Sequence, residues 1–145
     1  AQYLELLDLA KVIEHSLDIF PDSNIIFLKP DKEFKMEFDR DHLNRIVTNL
    51  LKNSIQSIPA GRDPEIKVKL FEDKKHIFIE VEDNGSGIED SIKQKIFEPK
   101  FTTKTSGMGL GLPMVKNIIE AYNGKISFNT SSSNGTVFKI SFPKK

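Results

Sequence analysis

The sequence predicts an α/β domain, a two-layer sandwich whose mixed, mainly antiparallel sheet carries helices on one face. Three observations lead there. Segments with helical spacing alternate with paired apolar strands, in the order helix, strands, helix, hairpin, loop, helix, hairpin. The length of 145 residues matches the usual size of one domain and can bury an independent core. Neither a repeat nor an internal linker divides the chain, so residues 1–145 read as one domain.

The elements follow in order. The chain starts at Ala1, not Met, already in a helix-like pattern, as expected of a fragment cut from a longer protein. Leu9, Val12, Ile13, Leu17 and Phe20 give helical spacing from Asp8 to Phe20, and Pro21 stops it. Asn24 to Lys29 is β-branched and aromatic, a strand. Phe34, Met36 and Phe38 alternate with Lys35, Glu37 and Asp39, a second strand with one wet face. Asp41 is placed to cap a long helix running to about Ile58. Its buried stripe is Leu43, Ile46, Val47, Leu50, Leu51 and Ile55, and Pro59-Ala60-Gly61 ends it. Ile66, Val68 and Leu70, then Ile77, Ile79 and Val81, form a hairpin around the charged turn Glu72 to Lys75. Asp83 to Leu112 holds five of the eight glycines and one short helix candidate, Ser91 to Phe97. A loop this long in a compact domain is usually functional. Pro113 suits a first helical turn, Met114 to Tyr122 continues it, and Gly124 is the expected stop. Ile126-Phe128 and Val137-Phe142 are strands across a Ser/Asn/Gly-rich turn.

Composition excludes several functions. Lys+Arg and Asp+Glu both number 21, so the chain is neutral, unlike a protein built to coat nucleic acid or an anionic membrane. With no cysteine there are no disulfides, cysteine nucleophiles or thiolate metal sites. His15, His42 and His76 lie far apart. No apolar run is long enough to span a bilayer.

The chemistry is concentrated in a few motifs. Asp83-Asn84-Gly85-Ser86-Gly87 follows a strand. Its glycines let the backbone turn beside a flat ligand, and its carboxylate can accept from an amino group. Gly107-Met108-Gly109-Leu110-Gly111-Leu112 runs into a helix start, where bare N–H groups make an anion site. Together they suggest a nucleotide held at both ends, although each alone also fits a tight turn. The GxxxxGK[ST] motif is absent, and Asp90 stands where a dinucleotide fingerprint needs its third glycine. On the long helix Asn49, Asn53 and Gln56 share a face. A carboxamide oxygen suits Mg²⁺ among phosphates, while a plain wetted helix face explains the same spacing. From Lys93 to Lys104 four lysines face one acid, Glu98, and Phe97 and Phe101 can pin that segment to the core.

Asn-x-x-x-Asn on a helix, Asp-x-Gly-x-Gly after a strand, Phe-Glu-Pro-x-Phe-Thr-Thr-Lys, then Gly-x-Gly-x-Gly-Leu resembles, in order and spacing, the catalytic ATP-binding domain of bacterial sensor histidine kinases. These belong to the gyrase, chaperone, histidine kinase and mismatch-repair ATPase superfamily. The likeness covers nearly the whole chain and is nearest the nitrogen-regulation type. It implies a Bergerat-type fold with a flexible lid over ATP and Mg²⁺. By this resemblance Asp83 accepts from the adenine amino group, Asn53 ligates Mg²⁺ with Asn49 close by, and Thr136 lies near the adenine. Gly107, Gly109 and Gly111, with Met108, Leu110 and Leu112, cradle phosphates, and Lys104 meets the terminal phosphates. Gly85, Gly87, Ile88, Phe101, Thr102 and Thr103 complete the nucleotide site. Gln56 is counted with the nucleotide-binding residues too, although it departs from the pattern, since the family often carries Lys or Arg there.

The resemblance further implies an ATP:protein-histidine phosphotransferase acting in two-component signalling in the cytoplasm. Its partners are a histidine-bearing dimerisation domain, of the same or a sister chain, and a downstream response regulator. No nucleic acid or direct membrane contact is expected of this fragment. None of the three histidines sits in a His-Glu-x-x-x-x-Pro pattern, so the fragment alone binds ATP and transfers little to itself. The alternatives are an ATPase of the gyrase or chaperone type, and a nucleotide-binding regulatory module without phosphotransfer. Hydrolysis often relies on a Glu four residues before the metal Asn, but Asn49 stands there and cannot take a proton. Guanine offers a carbonyl where adenine offers an amino group, so a carboxylate at Asp83 selects ATP over GTP. Calorimetry should show that preference, with most affinity lost in Asp83→Asn, a lost charged hydrogen bond being worth about 1.5–3 kcal/mol.

Overall fold

The computed structural model describes residues 3–98 and 111–144. In chain order these form β1 (Leu4–Asp8), α1 (Leu9–Leu17), β2 (Ile25–Leu28), β3 (Lys35–Asp39), α2 (Arg40–Gln56), β4 (Ile66–Glu72), β5 (His76–Glu82), a 3₁₀ turn (Lys93–Lys95), α3 (Leu112–Ala121), β6 (Lys125–Ser131) and β7 (Gly135–Pro143). Five strands make one sheet in the order β2-β4-β5-β7-β6. Only β2 and β4 run parallel in it; the other neighbours are antiparallel. The separate pair β1-β3 is antiparallel.

Strand alternation decides which face is covered. Ile66, Val68, Leu70, Ile77, Ile79, Val81, Phe138, Ile140 and Phe142 all point to one side and are buried. There they meet the α2 stripe, Leu43, Ile46, Val47, Leu50 and Leu51, each fully buried. The other face is wet. It pairs Lys67 with Glu82, Lys69 with Glu80, and Glu80 with Lys139 across strands. The expected two-layer arrangement is therefore the observed one.

Local details differ from expectation. The first residues form β1, not a helix lead-in, because Leu4 to Asp8 pair with Lys35 to Asp39. The cap of α2 is Asp39, not Asp41: Asp39 Oδ1 accepts from the N–H groups of Asp41 and His42. Ser91 to Phe97 yields only the 3₁₀ turn Lys93–Lys95. At the end of α3 the left-handed residue is Asn123 (φ 62°), one position before Gly124. Among the described residues no helix is long and apolar enough to cross a membrane.

Asp39 joins three parts of the chain. Its Oδ2 accepts from Tyr3 N–H (3.0 Å), its Oδ1 caps α2, and its own N–H donates to the Tyr122 hydroxyl (3.1 Å). These donors hold its carboxyl below the usual carboxylate range, the Tyr3 N–H contributing most. A lowered folded-state pKa stabilises above the unfolded value of about 3.9 and is lost as pH falls through the folded one. Asp39→Ala should therefore lower Tm at neutral pH, and thermal scans down to strong acid should show the gap to wild type closing.

Candidate functional site

The site grows from the C-terminal end of β5. Its last pairing, Glu82 with Val137, delivers Asp83 beside the start of β7. Asp83 N–H donates to Thr136 O (2.9 Å), and Thr136 N–H donates back to Asp83 Oδ1 (3.2 Å). Gly85 N–H donates to the same Oδ1 (2.8 Å). Asp83 is 3% exposed, as is Thr136. Among the described residues, Oδ2 is left without a donor of standard geometry. Burial raises the Asp83 pKa above the ordinary carboxylate value, and the Gly85 and Thr136 N–H groups and the nearby Ser54 and Ser57 hydroxyls partly offset it.

The α2 helix supplies the facing wall. Asn53 is 3% exposed and, among the described residues, its Nδ2 has no hydrogen-bond partner; the adjacent Ser54 Oγ, also buried, has none of standard geometry there. A half-turn about the terminal torsion lets the Asn53 amide present either nitrogen or oxygen. Among the described residues no cluster of three His, Cys, Asp or Glu could cage a metal. The Asn53 carboxamide oxygen, once turned into the site, suits Mg²⁺, which is commonly held by few protein ligands together with phosphate oxygens.

Asn49, half-buried, donates through Nδ2 to Arg45 O (2.8 Å) and abuts the start of α3. Gly111 precedes that helix with φ 82°, and a Cβ there would lie 2.3 Å from Asn49 Oδ1. Only glycine combines that conformation with so close an approach. The Asp83–Gly87 turn is fixed from both sides. Ser86 donates through its N–H and hydroxyl to Ser57 O, both 3.1 Å, while Asn84 accepts from Glu65 N–H (2.8 Å). A Cβ on Gly85 would collide with Ser57, and one on Gly87 with Ser131 O, so packing within the protein uses the bareness of these glycines.

Asn53, Asp83, Gly85 and Thr136 thus gather at one end of the strands, with Ile88 and Leu112 buried. Gln56 is exposed to solvent. Phe101, Thr102, Thr103, Lys104, Gly107, Met108, Gly109 and Leu110 lie outside the described residues. Phe97 leads into that segment half-buried, its ring 6.0 Å from Phe128 and under the Lys116 ammonium. Lys93 pairs with Asp90 at 2.6 Å, so one of the four lysines already has a partner. A groove of about 770 Å³ lined by Leu6, Phe34, Met36, Ile77 and Tyr122 opens at the opposite end of the strands, away from these residues.

Sequence reasoning missed Ser54, Ser57 and Thr130. Ser54 was within reach: it lies three and four residues after Leu51 and Leu50, on the buried stripe, where Ile55 was expected and is only half-buried. Thr130 depends on hairpin register, which pairs it with Thr136.

A family described as histidine kinase-, DNA gyrase B-, and HSP90-like ATPase matches residues 38–145. Sporulation kinase A of Bacillus subtilis (strain 168) is 36% identical over 147 residues, covering 99% of this chain and 24% of that protein. Sensor histidine kinase ZraS of Escherichia coli (strain K12) is 35% identical, covering 97% of this chain and 31% of that protein. The chain therefore spans about a quarter to a third of the length of these relatives. Among solved structures, the nucleotide-free catalytic domain of histidine kinase ThkA superposes with TM-score 0.84 at 32% identity, covering 99% of this chain and 97% of that one. Full-length ShkA in complex with AMPPNP shares the fold, with TM-score 0.83 at 19% identity over 99% of this chain and 31% of that one.

The raised Asp83 pKa has a stability consequence. A carboxyl that protonates more readily when folded makes the fold less stable as pH rises from the unfolded value through the folded one. Asp83→Asn keeps an oxygen acceptor without the buried charge. Thermal melts without ligand should place it above wild type at neutral pH, with the difference vanishing in acid.

Proposed function

Because the chain belongs to the histidine kinase-, DNA gyrase B- and HSP90-like ATPase family, we propose that it binds Mg-ATP and donates the γ-phosphoryl group to a histidine on a separate dimerisation domain. The observation that carries this reading is the buried Asp83 carboxyl, whose Oδ1 accepts from two backbone N–H groups while Oδ2 has no donor of standard geometry among the described residues.

Asp83 accepts from the exocyclic amino group and orients the base beside Thr136. Asn53 would hold Mg²⁺, which when bound compensates charge on the phosphate oxygens. Lys104, Thr102 and Thr103 with the Gly107–Gly111 amides would serve the triphosphate, Phe101 the lid. Phosphoryl transfer asks a protein mainly for such positioning and charge compensation. The phosphorus leaves the bridging oxygen of ADP and bonds to an imidazole nitrogen.

That imidazole is external. His15 is exposed on α1, His42 Nδ1 lies 2.9 Å from the Tyr122 hydroxyl, and His76 sits beside Asp73 at the far end of β5. None belongs to the Asp83 site. The partners are then a histidine hairpin and a downstream response regulator, with the domain on the cytoplasmic side of its cell. Asn49, opposite Gly111, offers no base for water, which favours transfer over hydrolysis.

Labelled ATP, Mg²⁺, this chain and a purified histidine hairpin from a sensor kinase test the proposal. Acid-labile, base-stable label on the hairpin is the expected outcome. Phosphate released with no labelled protein would replace the proposal with an ATPase.

A further inference from the structure

Thr130 belongs to β6, outside every motif noted in the sequence. Its Oγ1 accepts from Ile88 N–H at 2.8 Å and lies 2.9 Å from Thr136 Oγ1, its cross-strand partner. Among the described residues it has no other side-chain partner. The Asp83–Gly87 turn presses on the same spot, since a Cβ on Gly87 would sit 3.0 Å from Thr130 Oγ1. A hydroxyl has one hydrogen and two lone pairs. Ile88 occupies one lone pair; in the Thr130–Thr136 contact either hydroxyl can be the donor, and Thr136 Oγ1 is the side-chain acceptor within reach of the Thr130 hydrogen among the described residues. An O–H without an acceptor costs more than an idle lone pair, which sets the direction. With Thr130 as donor, Thr136, 3% exposed, accepts and keeps its own hydrogen for another acceptor. The chain Ile88 N–H to Thr130 to Thr136 is polarised one way.

We propose that Thr130 is a positioning residue that makes the Thr136 hydroxyl a donor, so that acceptor Asp83 and donor Thr136 together read the edge of a 6-aminopurine. Such an edge presents an amino donor next to a ring-nitrogen acceptor; guanine presents the reverse. This rests on the nucleotide reading above, and the test separates the two.

The probes are ATP and 1-deaza-ATP, which keeps the amino group but has C–H in place of the adjacent ring nitrogen. Titration calorimetry of the 145-residue chain should show 1-deaza-ATP binding roughly tenfold more weakly than ATP. Thr130→Val should weaken ATP by a similar factor and leave less than about twofold discrimination, while exchange of the Ile88 amide hydrogen accelerates. Thr130→Ser should restore all three. A merely structural role would weaken both nucleotides equally and preserve their ratio. The inference is overturned if folded Thr130→Val keeps the wild-type ratio, or if wild type binds both nucleotides alike; nucleotide binding itself survives either result. Wild type binding neither nucleotide overturns both readings. Should Thr130→Val not fold, Thr130→Cys carries the same comparison, a thiol being a poor donor and acceptor.

Discussion

The buried stripe of α2 is the constraint on which the rest depends. Leu43, Ile46, Val47, Leu50 and Leu51 lie wholly inside, and together they fix the rotation of the helix against the sheet. A helix so fixed cannot choose the fate of its last turn. At 3.6 residues per turn the stripe runs on into Asn53 and Ser54, which are buried because Leu50 and Leu51 are. Neither Asn53 Nδ2 nor Ser54 Oγ has a partner of standard geometry. An unsatisfied buried polar group costs about 1–3 kcal/mol, a sizeable share of a typical domain's 5–15 kcal/mol. Apolar residues there would make a more stable helix.

The sheet brings a third polar group to the same place. β5 and β7 are antiparallel neighbours, so one ends where the other begins, and Asp83 meets Thr136 there. A carboxylate at that depth is disfavoured by desolvation, as its raised pKa records. Backbone donors serve Oδ1 and leave Oδ2. A buried carboxyl, an amide nitrogen and a hydroxyl, the last two without a partner of standard geometry among the described residues, form a set that a ligand can complete. The far end of the same strands carries instead a groove lined by Ile77, Tyr122 and Pro143, with Phe38 stacked on Tyr122 at 3.8 Å.

What the sequence revealed and concealed follows from range. The α2 stripe, the β4-β5 hairpin and the alternation of β7 are local patterns whose period shows in a few residues. Asp83, Asn53 and the glycines were legible because their chemistry is unusual for their positions. β1 was not, because a strand of five residues reads as helix or strand until its partner, β3, is known. Asp39 and Asp41 are both sound caps by composition. What decides between them is that Asp39 ends β3, already in the extended conformation a cap requires. Thr130 could not be found at all, since its meaning lies in a register and a turn contact 42 residues away.

The same packing bears on what the site can do. Asn49 Oδ1 occupies the space a Gly111 side chain would need, so α2 fixes where α3 starts and where its free N–H groups lie. A glutamate at position 49 would set a negative charge against that positive helix end, in place to act as a base but also to repel phosphate. A neutral carboxamide keeps the close contact while adding no charge and no proton acceptor. Among the described residues, the α2 face that meets Gly111 therefore offers a positioning contact and no base. His42, the one histidine on α2, lies beside Tyr122 near the opposite end of the helix. For the proposed phosphoryl donor, none of the three histidines lies beside the site as an acceptor. On the proposed function, the specificity of transfer then comes from the surface that carries the accepting histidine.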